Sequence, residues 1–372
     1  MLTNPEETIE ACIGCGRCTE VCPFYRATGD ERNGAMGKVE AAKVLFDGGT
    51  PSAEDLKTLL LCTRCDRCVQ ECPAEISVPD IVQSARAELR KIGRWPEKCL
   101  GIARSIVESG SPMAAAPQER LACLPPGFEP PEKAEYLYLP GCWSGLKLPE
   151  TARASLQLLI EAGLDVTVLG DKERCCGLFL IDNGMMDEAK AIAEENTLLL
   201  ESTSAKVVIA ECPGCYDVFK HVYPRLFREP HYKVAFISEV LRGLIEHGKL
   251  KVRGSGKRVI YKDPCPLARR HAMLEAPRQV LGAVAEVVEF DEHGKDAVCC
   301  GAPAGVKALY PEIADKLAKD LMDEVAAKGV EEVGMSCAFC MYHMQGAVKD
   351  SDDRPRIRSL SQLVLESVED RP

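Results

Sequence analysis

A pair of parallel-sheet α/β halves, preceded by an α-helical domain, is what three features of the sequence predict. A cysteine-rich run near the N-terminus recurs fifty residues later, with helix-like segments between its two copies. Beyond residue 135, short runs of β-branched, aromatic and aliphatic residues alternate with amphipathic stretches of helical period. That alternation is the pattern of strands joined by crossover helices. Within the same region five cysteines come round twice, at offsets of 123, 124 and 125 residues, so the α/β architecture is itself duplicated.

The N-terminal feature comes first along the chain. Cys12, Cys15, Cys18 and Cys22 follow C-x2-C-x2-C-x3-C-P, and Cys62, Cys65, Cys68 and Cys72 repeat it. Three thiolates at this spacing wrap one face of a cubane, and the fourth starts a departing segment that reaches the other cluster. Cys12, Cys15, Cys18 and Cys72 are therefore assigned to one 4Fe–4S cluster, and Cys62, Cys65, Cys68 and Cys22 to a second. Pro23 and Pro73 turn the chain away after each run. A pair of zinc sites is the alternative, since a doubled C-x2-C also binds zinc. Helical patterning over residues 38–46 and 53–61 makes residues 1–94 resemble the helical two-cluster ferredoxin module of fumarate reductase iron–sulfur subunits.

Composition supports metal over disulfide. Cysteine supplies 20 of 372 residues in a chain of otherwise ordinary globular make-up. Disulfide-dense chains are short and exported, whereas Met1-Leu2-Thr3-Asn4-Pro5-Glu6-Glu7 is acidic and has no apolar leader. Reduced thiols in a cytoplasmic compartment are expected, at the inner face of a membrane where a partner holds the chain there. No run of about eighteen apolar residues occurs. A net charge of −11, from 46 basic and 57 acidic residues, argues against a nucleic-acid partner.

Residues 95–134 are irregular and proline-rich, with Cys99 and Cys123 in no spacing pattern. They read as a linker, with a helix over residues 99–107 and two buried or free thiols.

The first α/β copy is expected over residues 135–253 and the second over residues 254–372. Strands are predicted over residues 136–139, 166–169 and 207–210, then 259–261, 287–290 and 332–335. Helices are predicted over residues 150–162 and 186–200, then 276–285 and 311–327. Cys142, the pair Cys175–Cys176 and the pair Cys212 and Cys215 then fall at strand ends. So do Cys265, the pair Cys299–Cys300 and the pair Cys337 and Cys340. Parallel α/β sheets carry their sites there. Five thiolates exceed the four of a zinc site. Adjacent cysteines suit different irons of one cluster, and a redox-active vicinal disulfide is the metal-free alternative. Gly177 and Gly301 fit a close backbone approach to a bulky cluster.

The motifs C-x32-CCG-x34-C-x2-C and C-x33-CCG-x35-C-x2-C, fused behind a two-cluster module, resemble the duplicated CCG-domain family. The whole layout is similar to the D subunit of heterodisulfide reductase, equivalent to the C and B subunits joined. That resemblance implies noncubane 4Fe–4S clusters, one on Cys142, Cys175, Cys176, Cys212 and Cys215 and one on Cys265, Cys299, Cys300, Cys337 and Cys340. It implies a coenzyme M–coenzyme B disulfide substrate cleaved between these ten catalytic cysteines, as in methanogenesis. The electron-donating partner would be a membrane cytochrome b-type subunit, a flavoprotein or a hydrogenase.

One departure bears on chemistry. The family commonly carries Asp-Pro-Cys-His, whereas this chain reads Asp263-Pro264-Cys265-Pro266. Proline has no proton to donate, which leaves Lys262, His271 and His343 as candidates. The alternative function is an electron relay in a flavin-linked glycolate, lactate or glycerol-3-phosphate dehydrogenase, and a disulfide enzyme of sulfur metabolism lies between the two. No flavin is expected in this chain, since Gly254-Ser255-Gly256-Lys257 is too short for a dinucleotide fingerprint. Retention of all five cysteines in both copies favours disulfide reduction.

Overall fold

The computed structural model describes residues 4–349 and 355–369. They form two compact units. The first comprises the chain up to Ala103 with Phe179–Met186 and Val298–Leu321. The second comprises Arg104–Leu178, Asp187–Ala297 and the remainder from Met322.

The first unit is helical. Ala35–Phe46 packs against Ala53–Leu60 and Val78–Lys91, with Val39, Ala42, Leu59, Ile81 and Ala85 buried between them. Ser52 opens the second of these helices with a reciprocal cap, its Oγ accepting from the Asp55 N–H while Asp55 accepts from Ser52 N–H. The helix Val78–Lys91 was not anticipated. It starts on Ser77, whose hydroxyl accepts from Asp80 N–H, and Pro79 sits in its first turn, where no N–H is needed. On this helix Arg86 is fully buried. Its guanidinium donates to the carbonyls of Leu59, Leu60, Cys62 and Asp182 at 2.7–3.2 Å. Arg86 thus fastens the turn that leads into the second cysteine run.

The second unit holds two four-stranded, wholly parallel sheets. The first contains β1 (Tyr136–Leu139), β2 (Val166–Thr167), β3 (Val207–Ala210) and β4 (Lys233–Phe236), in the order β2-β1-β3-β4. The second contains β5 (Arg258–Lys262), β6 (Glu286–Glu289), β7 (Glu332–Met335) and β8 (Arg356–Ser359), in the order β6-β5-β7-β8. The α/β duplication therefore extends to strand order. β4 and β8 are additional to the six expected strands, and β2 is two residues long where four were expected. Both added strands lie at sheet edges and are four residues long.

The expected crossover helices occur as Pro149–Glu161, Met186–Ser202, Glu275–Gly282 and Pro311–Ala327. Two more, Ile237–Glu246 and Leu360–Glu366, close each copy. The copies join by exchange: Pro149–Glu161 packs on Leu360–Glu366, and Ile237–Glu246 packs on Glu275–Gly282. Leu156, Leu159, Leu241, Val280, Leu281 and Leu363 belong to one continuous core across this junction. The stretch read as a linker carries the helix Glu97–Ser109 and a 3-10 turn at Pro117–Cys123. The turn packs on Gly141–Leu146. Cys99 and Cys123 are both buried.

Replacing Arg86 by Met strands several buried carbonyls, each costing about 1–3 kcal/mol. The variant is expected to melt several degrees lower and to lose iron from the set containing Cys62. Wild-type iron content with an unchanged melting curve would show that Arg86 does not hold this turn.

Candidate functional site

In the first unit the two cysteine loops share one backbone design. Left-handed residues fall at matching places, Gly14 and Gly16 in the first loop (φ 69° and 76°) and Arg64 and Asp66 in the second (φ 53° and 62°). Each loop ends in a one-turn helix, Arg17–Glu20 or Arg67–Gln70, that carries the third cysteine. Non-glycine residues are strained by roughly 1–2 kcal/mol there. Arg64 is held nonetheless, by Asp182 Oδ1 at 2.8 Å and Asp80 Oδ1 at 3.0 Å.

The thiols group three-plus-one across the loops. Burial, and then the neighbouring Cys12, Cys72 and Cys15, push the Cys18 thiol up to about 11. Those four cysteines, with Met36 and Ile76 among their neighbours, line one small pocket that opens to solvent. Cys68 is raised by burial and then by Cys65, Cys62 and Cys22. The buried ammonium of Lys38 lies 3.8 Å from Cys22 Sγ and donates to the Gly34 carbonyl at 3.1 Å. Cys15 is exposed, whereas Cys22 and Cys62 are buried. Among the described residues no three His, Cys, Asp or Glu side chains converge on one metal ion. Thiolates around a zinc would lie within roughly 4 Å of one another; ligands to separate irons need not.

In the second unit, Cys142 follows β1 in the helix Gly141–Leu146 and Cys175–Cys176 follow β2. Cys212 caps the helix Pro213–Asp217 after β3, and Cys215 lies within it. The cysteines thus gather at the carboxyl ends of β1 and β3, where the strand order reverses. Their thiols form a contiguous run in hydrogen-bonding reach, from Cys142 to Cys175, Cys176, Cys215 and Cys212. The Cys175 and Cys215 thiols support Cys176 as a thiolate, down to about 6, and Cys215 likewise lowers Cys212. Cys142 and Cys215 are raised by the thiols beside them and by burial. Five soft donors, some held as thiolates out of water, suit a cluster of irons.

The surroundings fix this run. Asn196 Nδ2 donates to the Cys175 carbonyl and Tyr223 Oη to that of Cys176, both at 3.0 Å. Gly177 turns left-handed and its N–H points to Cys175 Sγ at 3.4 Å; Gly301 does the same toward Cys299 Sγ at 3.5 Å. Three buried charged groups were missed from the sequence. Arg120 Nη2 lies 3.4 Å from Cys142 Sγ, and its Nη1 pairs with Glu173 Oε1 at 2.8 Å. Glu211 lies beside Cys212, its carboxyl raised by burial to about 7, with Ser155 at 2.7 Å and Tyr138 at 2.9 Å opposing the shift. Glu173 and Glu211 had a signal, a carboxylate abutting a motif cysteine. Arg120 had none.

The second copy divides. Cys265 follows β5 and opens the helix Cys265–Arg269, with Pro266 beside it. Cys337 follows β7 and caps Ala338–Ala347, which contains Cys340. These three belong to the second unit. Cys299 and Cys300 belong to the first, where Thr63 Oγ1 lies 3.3 Å from Cys299 Sγ. Of the expected proton donors, Lys262 is buried and donates to the Asp263 carbonyl at 2.9 Å. His271 Nε2 lies 3.0 Å from Asp217 Oδ1, with His221 stacked at 5.0 Å. His343 is buried within its helix. Burial would raise the Asp217 carboxyl, but His271 and Arg270 outweigh it and hold it at about 2.

Residues 8–76 match the 4Fe-4S dicluster domain family, and residues 136–220 and 259–345 each match the Cysteine-rich domain family, known as CCG. The D subunit of dihydromethanophenazine:CoB–CoM heterodisulfide reductase from Methanosarcina acetivorans is 32% identical, over 89% of this chain and 87% of its own length. The B subunit of fumarate reductase (CoM/CoB) from Methanothermobacter marburgensis is 30% identical, over 92% of this chain and 68% of its own. EtfAB:quinone oxidoreductase of Syntrophomonas wolfei is 24% identical, over 97% of this chain and 58% of its own. A solved structure of a hypothetical protein from Helicobacter pylori aligns with a TM-score of 0.55 at 10% identity, covering 100% of this chain and 74% of that one. It bears on the fold alone.

Substituting Cys176 or Cys300 by Ser is expected to lower bound iron by about four atoms per chain in each case, the content of one 4Fe–4S cluster. Iron and acid-labile sulfide assays on purified protein read this directly. Full iron content in either variant would remove that thiol from the ligand set.

Proposed function

We infer that this chain, which belongs to the family of heterodisulfide reductase D subunits, is an iron–sulfur protein that reduces the coenzyme M–coenzyme B disulfide. The reaction takes two electrons and two protons and yields two thiols, one from each half of the disulfide. The observation that carries this reading is the contiguous run of Cys142, Cys175, Cys176, Cys215 and Cys212, all buried but for a half-buried Cys212. A pure relay has no need of a fifth thiol, because four satisfy a cubane.

Clusters bound to these thiols would supply electrons one at a time. The rest falls to the chain. Two groups of four, Cys12, Cys15, Cys18 and Cys72, then Cys62, Cys65, Cys68 and Cys22, would hold the cubanes. The duplication assigns Cys265, Cys299, Cys300, Cys337 and Cys340 the role of the first five. Exposed Cys15 leaves one cubane open to a donor, while Thr63 links the Cys62 loop to Cys299. That polarity supports entry at the first cubane and exit from the second. Pro266 holds no proton, whereas His271 is oriented by Asp217 with Nε2 toward the carboxylate.

The donor is a partner protein, either a membrane subunit of the cytochrome b type or a flavoprotein. Among the described residues no helix is long and apolar enough to cross a membrane. The alternative, a relay role in a flavin-linked dehydrogenase, draws support from the relative named EtfAB:quinone oxidoreductase.

EPR of the oxidised holoprotein, with coenzyme M and coenzyme B added separately, distinguishes them. A new paramagnetic signal that depends on coenzyme M is expected. The disulfide reading fails if neither thiol perturbs any cluster while a reduced flavoprotein reduces them all.

A further inference from the structure

We propose that Arg120 is a positioning residue that raises the electron affinity of the first five-cysteine site. The inference rests on the reading of Cys142, Cys175, Cys176, Cys212 and Cys215 as cluster ligands.

Arg120 comes from the irregular stretch before β1 and is almost wholly buried, 4% exposed. Its guanidinium makes three contacts. Nη1 lies 2.8 Å from Glu173 Oε1, while Nη2 lies 3.4 Å from the Gly110 carbonyl and 3.4 Å from Cys142 Sγ. Glu173 is pinned in turn, since the same Oε1 accepts the Gly141 N–H at 3.0 Å. The backbone of Gly141 passes beside Cys215 Sγ and Cys212. The carboxylate therefore braces the arginine from one side, and the thiol receives it on the other.

A buried ion pair is a poor way to gain stability, because desolvation cancels most of its attraction. A fixed cation against a ligand sulfur has a clear electrostatic consequence instead. N–H donors and positive charge near cluster sulfurs favour the reduced, more negative state and raise the potential. The duplication supplies an internal comparison. The sequence before the first pair is Glu173-Arg174-Cys175-Cys176, and before the second it is Ala297-Val298-Cys299-Cys300. The carboxylate brace has no counterpart at Ala297. Arg269, near that position, donates to the Lys295 carbonyl at 2.8 Å and to the Ala297 carbonyl. The glutamate that braces Arg120 is thus particular to the first copy at this sequence position.

The test is an EPR-monitored redox titration of the holoprotein and of Arg120→Gln, Arg120→Lys and Glu173→Gln. The first-site signal is identified as the one missing from Cys176→Ser. Arg120→Gln is expected to lower its midpoint, and Glu173→Gln, which leaves the cation uncompensated, to raise it. Arg120→Lys should stay near wild type, and the cubane midpoints should not move in any variant. A simple structural brace would give no such opposed shifts. Midpoints that stay put, or that move the same way in the Arg120→Gln and Glu173→Gln variants at full iron content, overturn the proposal. Should Arg120→Gln fail to load iron, Glu173→Gln decides: a first-site midpoint above wild type supports the proposal, and one that is unchanged or lower overturns it. Wild-type protein that responds to coenzyme M while these midpoints stay put overturns this proposal alone. Absence of the thiol response leaves the midpoint test standing and overturns the function.

Discussion

Burying thiols that must ionise is the constraint on which the rest of this structure depends. Water stabilises a thiolate, and its removal pushes the Cys18 thiol up to about 11 and raises Cys68 as well. Metal ligation reverses that cost, because a cationic cluster takes the place of both proton and water. Loading such a chain releases protons, so its iron affinity weakens as the solution is acidified. The neighbours follow the same logic. Lys38 stands near Cys22 and Arg120 near Cys142, so fixed cations flank both an N-terminal cysteine set and the first five-cysteine set.

Position follows from topology. A parallel sheet ordered 2-1-3-4 leaves a crevice at the ends of its two central strands, and Cys142 and Cys212 emerge there. The duplicated copy repeats the order and brings Cys265 and Cys337 to matching strand ends. Each closing helix lies on its own sheet and also packs on the first crossover helix of the other copy. Ser155 shows the coupling at atomic scale: its hydroxyl lies 2.7 Å from Glu211, beside Cys212, and 2.7 Å from the Ser361 hydroxyl in the opposite copy. Packing between copies is thereby tied to a thiol loop.

The cysteine sets and the strands that deliver them were legible because each signal was repeated. Spacing distinguished a cluster loop from a chance thiol, and the recurrence at about 124 residues aligned strand with strand. Edge strands β4 and β8 were not legible. Arg356-Ile357-Arg358-Ser359 holds a single aliphatic residue, and Lys233-Val234-Ala235-Phe236 runs straight into the helix at Ile237 with no turn residue between them. The helix Val78–Lys91 was passed over although its Ser77 cap and Pro79 are ordinary start signals. Lys38 read as one more polar residue of a helix. Arg120 lay in a proline-rich stretch, and only the folded chain carries it to Glu173, which lies 53 residues away. Long-range partners of this kind leave no local periodicity to read.

The duplication also shows where symmetry was abandoned. Trp143 and Pro266 follow the first cysteine of their copies, while Phe339 and Gly214 precede the last. In the structure Trp143 stacks on Phe339 at 4.1 Å, with Tyr342 tilted beside it at 5.2 Å, joining the helix of Cys142 to the helix of Cys340. On the other side of the pseudo-dyad the helix Pro213–Asp217 meets Cys265–Arg269. There small Gly214 is packed so closely that a Cβ would stand 2.5 Å from Leu178 Cδ2, and charge takes the place of rings, with Asp217 gripping Arg270 at 2.7 Å and His271 at 3.0 Å. One junction is therefore aromatic and the other ionic, around sulfur sets that match one for one. The imidazole on the ionic side belongs to His271, 3.0 Å from the Asp217 carboxylate of the opposite copy.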